Sequence, residues 1–420
     1  MELSVAKART AVKRGVQFLR ALPRDWDVSA FRTSIHIFFY RMVFPYLSIY
    51  IKALGASDSA LGLTNSLGTF FAGLLGPFTG TFIDRFGHKK VYLFGILMLA
   101  ASWLTYAFAQ HWALTIVAMV LYWVGFETSM QGCGFICANS LTPDKRATAM
   151  SLCETFAAGL LGMAGPLLGA FIVTRFGGAN IEGIRPLFFV SAGGALVSFI
   201  LILTQLSGER WRSKARPSFW NGFTEVFQVG RGLRRFLMIS ALIYLPNVML
   251  LPYVQVYARD AKGADPWTLG AMVTASAVTP FILGIPLGRL ADKIGRKKVL
   301  FMVSPLFWAS NILLILASNP FMLLLSGALQ GLFTISGVIS AAMTFEMVPK
   351  EYLSRWMGMQ RFFRMEVAAI AALLAGQIAG DFGRQYLFIA VIALDAFIRI
   401  PLLISIPETL RPEKKKIQNN

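Results

Sequence analysis

Twelve apolar runs of roughly 20 residues or more constrain this chain more than any other feature. They fall at 28–52, 58–82, 90–109, 113–140, 148–174, 185–205, 236–257, 267–291, 298–317, 320–347, 355–380 and 385–406. Each is long enough to cross a hydrocarbon core as a helix, and charged or Gly/Pro clusters separate them. In hydrocarbon every backbone N–H and C=O must be satisfied within the segment, so the expected fold is all-α and membrane-integral. Composition agrees, with 56% of residues hydrophobic and only 15% charged, far from the balance of a water-soluble domain. Twelve spans of about 20 residues take up about 240 positions, which leaves no room for a separate soluble catalytic domain.

The formal net charge of +19 would point to nucleic acid in a soluble protein. Here the cations stand in short clusters between apolar runs, so no nucleic-acid partner is expected. With the amino terminus in the cytoplasm, 28 of the 40 Lys and Arg fall in cytoplasmic segments. Only Lys52, Arg175, Arg185, Arg259, Lys262 and Arg384 face the other side. This asymmetry predicts both termini inside, in a plasma (inner) membrane with an anionic cytoplasmic leaflet.

The chain then divides into a tail at 1–25, a six-helix bundle at 26–206, a cytoplasmic loop at 207–235, a second bundle at 236–406 and a basic tail at 407–420. The first tail lacks the apolar core and cleavage site of a signal peptide. Val5, Ala8, Val12, Leu19 and Leu22 recur at helical spacing opposite Lys7, Lys13, Arg14 and Arg20. An amphipathic helix on the leaflet and a disordered basic tail both fit. In the central loop Phe219, Trp220, Phe223, Val226 and Phe227 follow one helical face after Pro217. Cys133, Cys137 and Cys153 lie in apolar runs without a Cys-x-x-Cys or a His cluster, so neither a metal nor a disulfide is expected.

An internal repeat supports the division. Gly80-Thr-Phe-Ile-Asp84-Arg85-Phe-Gly87-His88-Lys89-Lys90 returns 208 residues later as Gly288-Arg-Leu-Ala-Asp292-Lys-Ile-Gly295-Arg296-Lys297-Lys298. A period of half the chain means duplication of a helical bundle, the architecture of alternating access. Asp84 would end the second span, where a carboxylate suits the positive amino end of a neighbouring helix.

These two copies resemble the signature of the major facilitator superfamily, G-x-x-x-D-[RK]-x-G-[RK]-[RK]-[RK], with His88 as the one departure. The resemblance covers essentially the whole chain. It implies two pseudo-symmetric six-helix bundles, a monomer without cofactors, and span 11 as the partner of Asp84. Arg85, Lys89 and Lys90 can also pair with Asp144 or lipid phosphate. In span 5, Gly159, Gly162, Gly165-Pro166 and Gly169 resemble the glycine-proline signature of the superfamily's antiporters, with Leu161 and Ala170 where glycines are expected; a packing seam is the alternative.

Ionisable groups inside spans are costly and default to function. Arg32, His36 and Tyr40 share one face of span 1, with Arg41 turned away; Arg32 can snorkel to the interface. Glu127 and Gln131 share a face of span 4. By resemblance spans 1, 4, 7 and 10 line the cavity, which makes Tyr40, Arg41, Glu127, Gln131, Asn247, Gln255 and Gln330 the solute-contact set. His36, Glu127, Glu154 and Arg361 are the coupling candidates, Glu127 as proton carrier or as a structural partner of Arg41. Glu154 and Arg361 hold equivalent places in the two repeats, which predicts a charge pair. Thr128 stands where many proton-coupled members carry arginine. Arg364 and Glu366 are expected near the interface, and Asp395 and Arg399 as an i, i+4 pair. The readings are a secondary transporter of a small organic solute, coupled to protons or another ion and able to export; an organic-anion or lipid-related carrier; or a non-transporting sensor. An enzyme is disfavoured by the lack of a triad, metal cluster or nucleotide loop.

Overall fold

The computed structural model describes residues 22–140, 161–207, 231–348, 353–406 and 408, and all their regular structure is helical. The amphipathic readings of the amino-terminal tail and of 217–227 fall outside these residues, as do Asp144, Cys153, Glu154 and Gly159.

The first half contains α1 (Arg24–Ala53), α2 (Asp58–Phe86), α3 (His88–Phe108), α4 (Trp112–Ser140), α5 (Gly162–Arg175) and α6 (Ile181–Gln205). The second contains α7, in two segments Arg231–Leu242 and Leu245–Asp260, then α8 (Pro266–Ile294), α9 (Arg296–Leu316), α10 (Pro320–Met347) and α11 (Leu353–Asp381). Its last span, α12, runs Arg384–Leu394, passes through one π-helical turn at Asp395–Arg399, and ends with Ile400–Ser405. Among the described residues nine helical stretches are long and apolar enough to cross a membrane. Phe171 and Phe397 point outward, 56% and 80% exposed, which in water would be costly and in lipid is favourable.

The ends follow from local chemistry. Ser57, Asn180, Asp265 and Asn319 each accept a hydrogen bond from a first-turn backbone N–H, capping α2, α6, α8 and α10. These four caps lie at the end of the bundle remote from the basic loops. At the basic end a single glycine joins α2 to α3 and α8 to α9: Gly87 has φ 86° and Gly295 φ 112°. With ψ near 150° this region is essentially reserved for glycine, which explains the glycine of the repeated motif.

The motif lysine does the same work in both copies. Lys89 Nζ donates to the Leu206 carbonyl at 2.7 Å, and Lys297 Nζ to those of Ile404 and Ile406 at 2.9 and 2.6 Å. Each satisfies carbonyls at the carboxyl end of the last span of its own half. Lys89 thus serves as a cap, and its expected pairing with Asp144 lies outside the described residues. Arg296 pairs with Asp292 at 3.0 Å, and Arg85 lies over the Phe86 ring. Gly80 and Asp84 lie on α2 and Gly288 on α8; the side chain of Asp84 is outside the description.

The halves touch through α2 against α11 and α5 against α8. A Cβ on Gly62 would sit 2.6 Å from the Ala372 carbonyl oxygen and from the Gly376 Cα, so small residues set this close approach. Thr274 Oγ1 on α8 donates to the Met163 carbonyl at 3.1 Å.

One apolar cluster, including Tyr46, Tyr50, Tyr253 and Ala375, joins both halves at the end remote from the basic loops. At the basic end each half keeps its own cluster, around Tyr92 and Leu206 in the first and around Phe236 and Trp356 in the second. Among the described residues the bundles are therefore closed at one end and separate at the basic end.

Candidate functional site

Glu127 sits midway along α4 and is 3% exposed. Its carboxylate forms an ion pair with the guanidinium of Arg361 on α11, so the pair crosses from one half to the other. The structural partner of Glu127 is therefore Arg361, not Arg41. The geometric reason is that α4 and α11 both face the junction of the halves, whereas Arg41 faces α5, its Cβ close to the position a side chain on Gly165 would take. Arg361 is accordingly engaged with Glu127, and its proposed pairing with Glu154 lies outside the described residues. The carboxylate is desolvated while the Arg361 side chain stays 30% exposed, and the contact is an ion pair only while both members are ionised.

An aromatic cluster lies on α1 and on α4, the helix that carries Glu127. Tyr122 is stacked on Phe126 at 6.1 Å and on Tyr40 at 5.6 Å, and His36 lies 6.3 Å from Tyr40. Helical spacing brings this about, since His36 and Tyr40 are one turn apart on α1, and Tyr122 and Phe126 one turn apart on α4.

The remaining solute-contact candidates divide. Gln131 Nε2 donates to the Gly76 carbonyl of α2 at 3.1 Å, which ties α4 to α2. Gln255 is 6% exposed, and its Oε1 has no hydrogen-bond partner; Gln330 Nε2 is likewise buried without one. Asn247 on α7 is half-buried. Arg364 lies over the Tyr244 ring, 5.2 Å from its centroid, and Glu366 packs against Gly73 of α2. Both belong to the interior of the span Trp356–Asp381 rather than to the interface, because α11 extends well before them. Arg32 is 1% exposed with its guanidinium 5.1 Å from the centre of the Tyr92 ring, so it does not snorkel. In α5, Gly165 is a seam residue: a Cβ there would meet the Phe38 carbonyl oxygen at 2.5 Å.

A second inter-half constellation escaped sequence reasoning. At the end remote from the basic loops, Arg384 Nε donates to both oxygens of Asp58, each at 3.1 Å, and Nη1 to Asp260 at 2.7 Å. Lys52 adds a contact to Asp58 at 3.0 Å. Tyr253 Oη donates to the Asp58 carbonyl at 3.0 Å, Tyr46 Oη to that of Pro266 at 2.8 Å, and Ser59 Oγ to that of Gly376 at 3.3 Å. Arg384 is 13% exposed and Asp58 14%, and its planar fork suits two carboxylates at once. The only signal in the sequence was the isolation of Arg384 among few cations on that side.

Known proteins share both the sequence pattern and the fold. The sequence pattern described as Major Facilitator Superfamily matches residues 30–260 and 236–419. The chain is 25% identical over 319 residues to multidrug resistance protein MdtG of Proteus mirabilis (strain HI4320), covering 72% of this chain and 74% of that one. It is 25% identical over 379 residues to multi-drug resistance efflux pump PmrA of Streptococcus pneumoniae serotype 4 (strain ATCC BAA-334 / TIGR4), covering 85% and 89%. Its fold is similar to the crystal structure of nucleoside transporter NupG, with a TM-score of 0.70, 11% identity, and coverage of 90% of this chain and 98% of that one.

Proposed function

Because the chain belongs to the Major Facilitator Superfamily, we propose that this membrane transporter is a proton-coupled exporter of small lipophilic organic solutes. It works as a monomer, with its basic end in the cytoplasm of the plasma membrane. The orientation follows from the lysine and arginine asymmetry, and export from the names that two relatives carry.

The observation that carries the coupling is the Glu127 and Arg361 ion pair between the halves. Protonation of Glu127 removes one charge of a contact that exists only while the halves hold this arrangement. A ligand, here the proton, shifts an equilibrium by its differential affinity for the two states. Glu127 thus binds its proton in the arrangement open at the opposite end, where the pair is broken, and releases it when re-pairing with Arg361 restores the state open to the cytoplasm, so that a proton moves inward as solute moves out. The aromatic set around Tyr40 and Tyr122 offers apolar contact of low directional demand, which suits solutes of varied shape.

Purified protein in proteoliposomes, given an imposed pH gradient and a panel of lipophilic cations, anions and neutral compounds, tests this. Concentrative movement of at least one lipophilic compound against proton flow, lost in Glu127→Gln, is expected. Gradient-independent movement, or selective uptake of organic anions, would replace this reading with a uniporter or an organic-anion carrier.

A further inference from the structure

Among the described residues three carboxylates lie inside the spans, away from the helix ends: Glu127, Asp395 and Glu366. Glu127 is paired with Arg361 and Asp395 with Arg399. No described ion pair includes Glu366, which is half-buried, and its Oε1 is buried without a hydrogen-bond partner. Glu366 follows Trp356, where the span begins, by about 15 Å of helix, which in a hydrocarbon core of about 30 Å is close to the mid-plane. Gly73, which packs against Oε1, lies near the middle of α2 and gives the same depth.

At about 100° per residue Glu366 shares a face of α11 with the exposed Ile370 and Leu373, the face that meets lipid. Arg361 and Arg364 stand about 140° and about 160° round the helix, where Arg361 meets Glu127 and Arg364 lies over Tyr244 of α7. The elements packed against α11 are α2, α7 and α12. Between Asp58 and Asp84, α2 carries no titratable side chain. On α7, Tyr253 donates to the Asp58 carbonyl and Tyr257 lies under Lys262; on α12, Asp395 and Arg399 face each other.

A carboxylate at this depth needs its charge covered, and the described residues supply neither a cation nor a donor. The cover is therefore mobile: a proton, or an organic cation that dissolves in lipid. The exposed rings of Phe70 and Phe71, within one turn of Gly73 on α2, suit the organic cation.

Resting on the reading of the chain as a proton-coupled exporter, we propose that Glu366 is a second exchange site, at the lipid-facing seam of α2 and α11, where a proton and a lipophilic monovalent cation compete for one carboxylate. Because α2 and α11 belong to different halves, rocking of the halves alters the seam and the site with it. In the arrangement open at the basic end the cation displaces the proton, which leaves to the cytoplasm. In the opposite arrangement a proton displaces the cation.

Dicyclohexylcarbodiimide, a lipid-soluble reagent, tests this on the purified full-length protein in lipid nanodiscs. A protonated carboxyl adds across its C=N bond, oxygen to carbon and proton to nitrogen, and mass spectrometry of the peptides reads the adduct. Labelling of Glu366 at neutral pH is expected, reduced several-fold by tetraphenylphosphonium and not by the neutral tetraphenylsilane. Tetraphenylphosphonium should also release about one proton per bound cation, in Glu127→Gln as in the unaltered protein, and none in Glu366→Gln. An unlabelled Glu366, labelling that tetraphenylphosphonium leaves unchanged or that tetraphenylsilane reduces equally, or proton release that persists in Glu366→Gln overturns the proposal. Release that is lost in Glu127→Gln assigns the exchange to Glu127, which overturns this site and leaves Glu127 standing as the coupling group.

Discussion

Glu127 of α4 and Arg361 of α11 form an ion pair that belongs to neither half alone. A buried charge is tolerable while its partner is near and expensive once the partner leaves, so this contact makes the arrangement of the bundles depend on the ionisation of one carboxylate.

Arg361→Ala strands a carboxylate that is 3% exposed and is expected to cost about 3 kcal/mol. Glu127→Gln in the same chain should recover most of that loss, because no buried charge remains unpaired. Thermal unfolding of the two single variants and the double variant, arranged as a double-mutant cycle, checks this; additive losses would mean that the two groups do not interact.

The network of Asp58, Arg384 and Asp260 ties the halves together at the end remote from the basic loops. Arg384→Ala should loosen that seal without unfolding either bundle, since each half keeps its own apolar cluster at the basic end. A cysteine placed at Ala375, 0% exposed in the cluster that joins the halves at that end, should react slowly with a membrane-impermeant maleimide and several-fold faster once Arg384 is replaced. Equal rates would show that Arg384 is not part of the seal.

Gly87→Ala and Gly295→Ala force a side chain into backbone regions reserved for glycine, at φ 86° and 112°, at a cost of about 1–3 kcal/mol each. Gly288→Ala belongs to the same motif, yet a Cβ there meets nothing within 4 Å, so stability should hold. Melting temperatures of the three variants in detergent distinguish a backbone requirement from a side-chain one.

Arg399 and Asp395 are 1% and 0% exposed. Arg399→Met alone should destabilise by about 3–5 kcal/mol, whereas Arg399→Met with Asp395→Leu should come close to neutral, because a well-packed apolar pair can replace a buried ion pair. Unfolding of single and double variants measures the difference.

Much of the fold was legible along the chain. The run at 320–347 coincides with α10, and the run at 58–82 falls short of α2 by four residues, because Gly, Pro and charge mark where hydrocarbon ends. The repeat gave the equivalence of Gly87 and Gly295, which share an unusual φ. The partners across the halves were not legible: Asp58 and Arg384 lie 326 positions apart, and helical spacing reports the face of a helix but not the neighbour that the face meets. For the same reason the sequence left Glu127 beside Arg41 and gave Arg32 to the interface, although Tyr92 buries it. The π-helical turn at Asp395–Arg399 left no trace in the period of apolar residues.

Distances between spin labels measured by electron resonance test the central claim most directly. One label pair replaces the exposed Lys90 and Lys298 at the basic end, and the other the exposed Arg175 and Ala261 at the opposite end. At neutral pH the basic-end pair should be far apart and the opposite pair close. Glu127→Gln should shift both distributions in opposite senses, closing the basic end and opening the other. Distributions that are unchanged by Glu127→Gln would contradict the claim that this carboxylate sets the balance between the two arrangements.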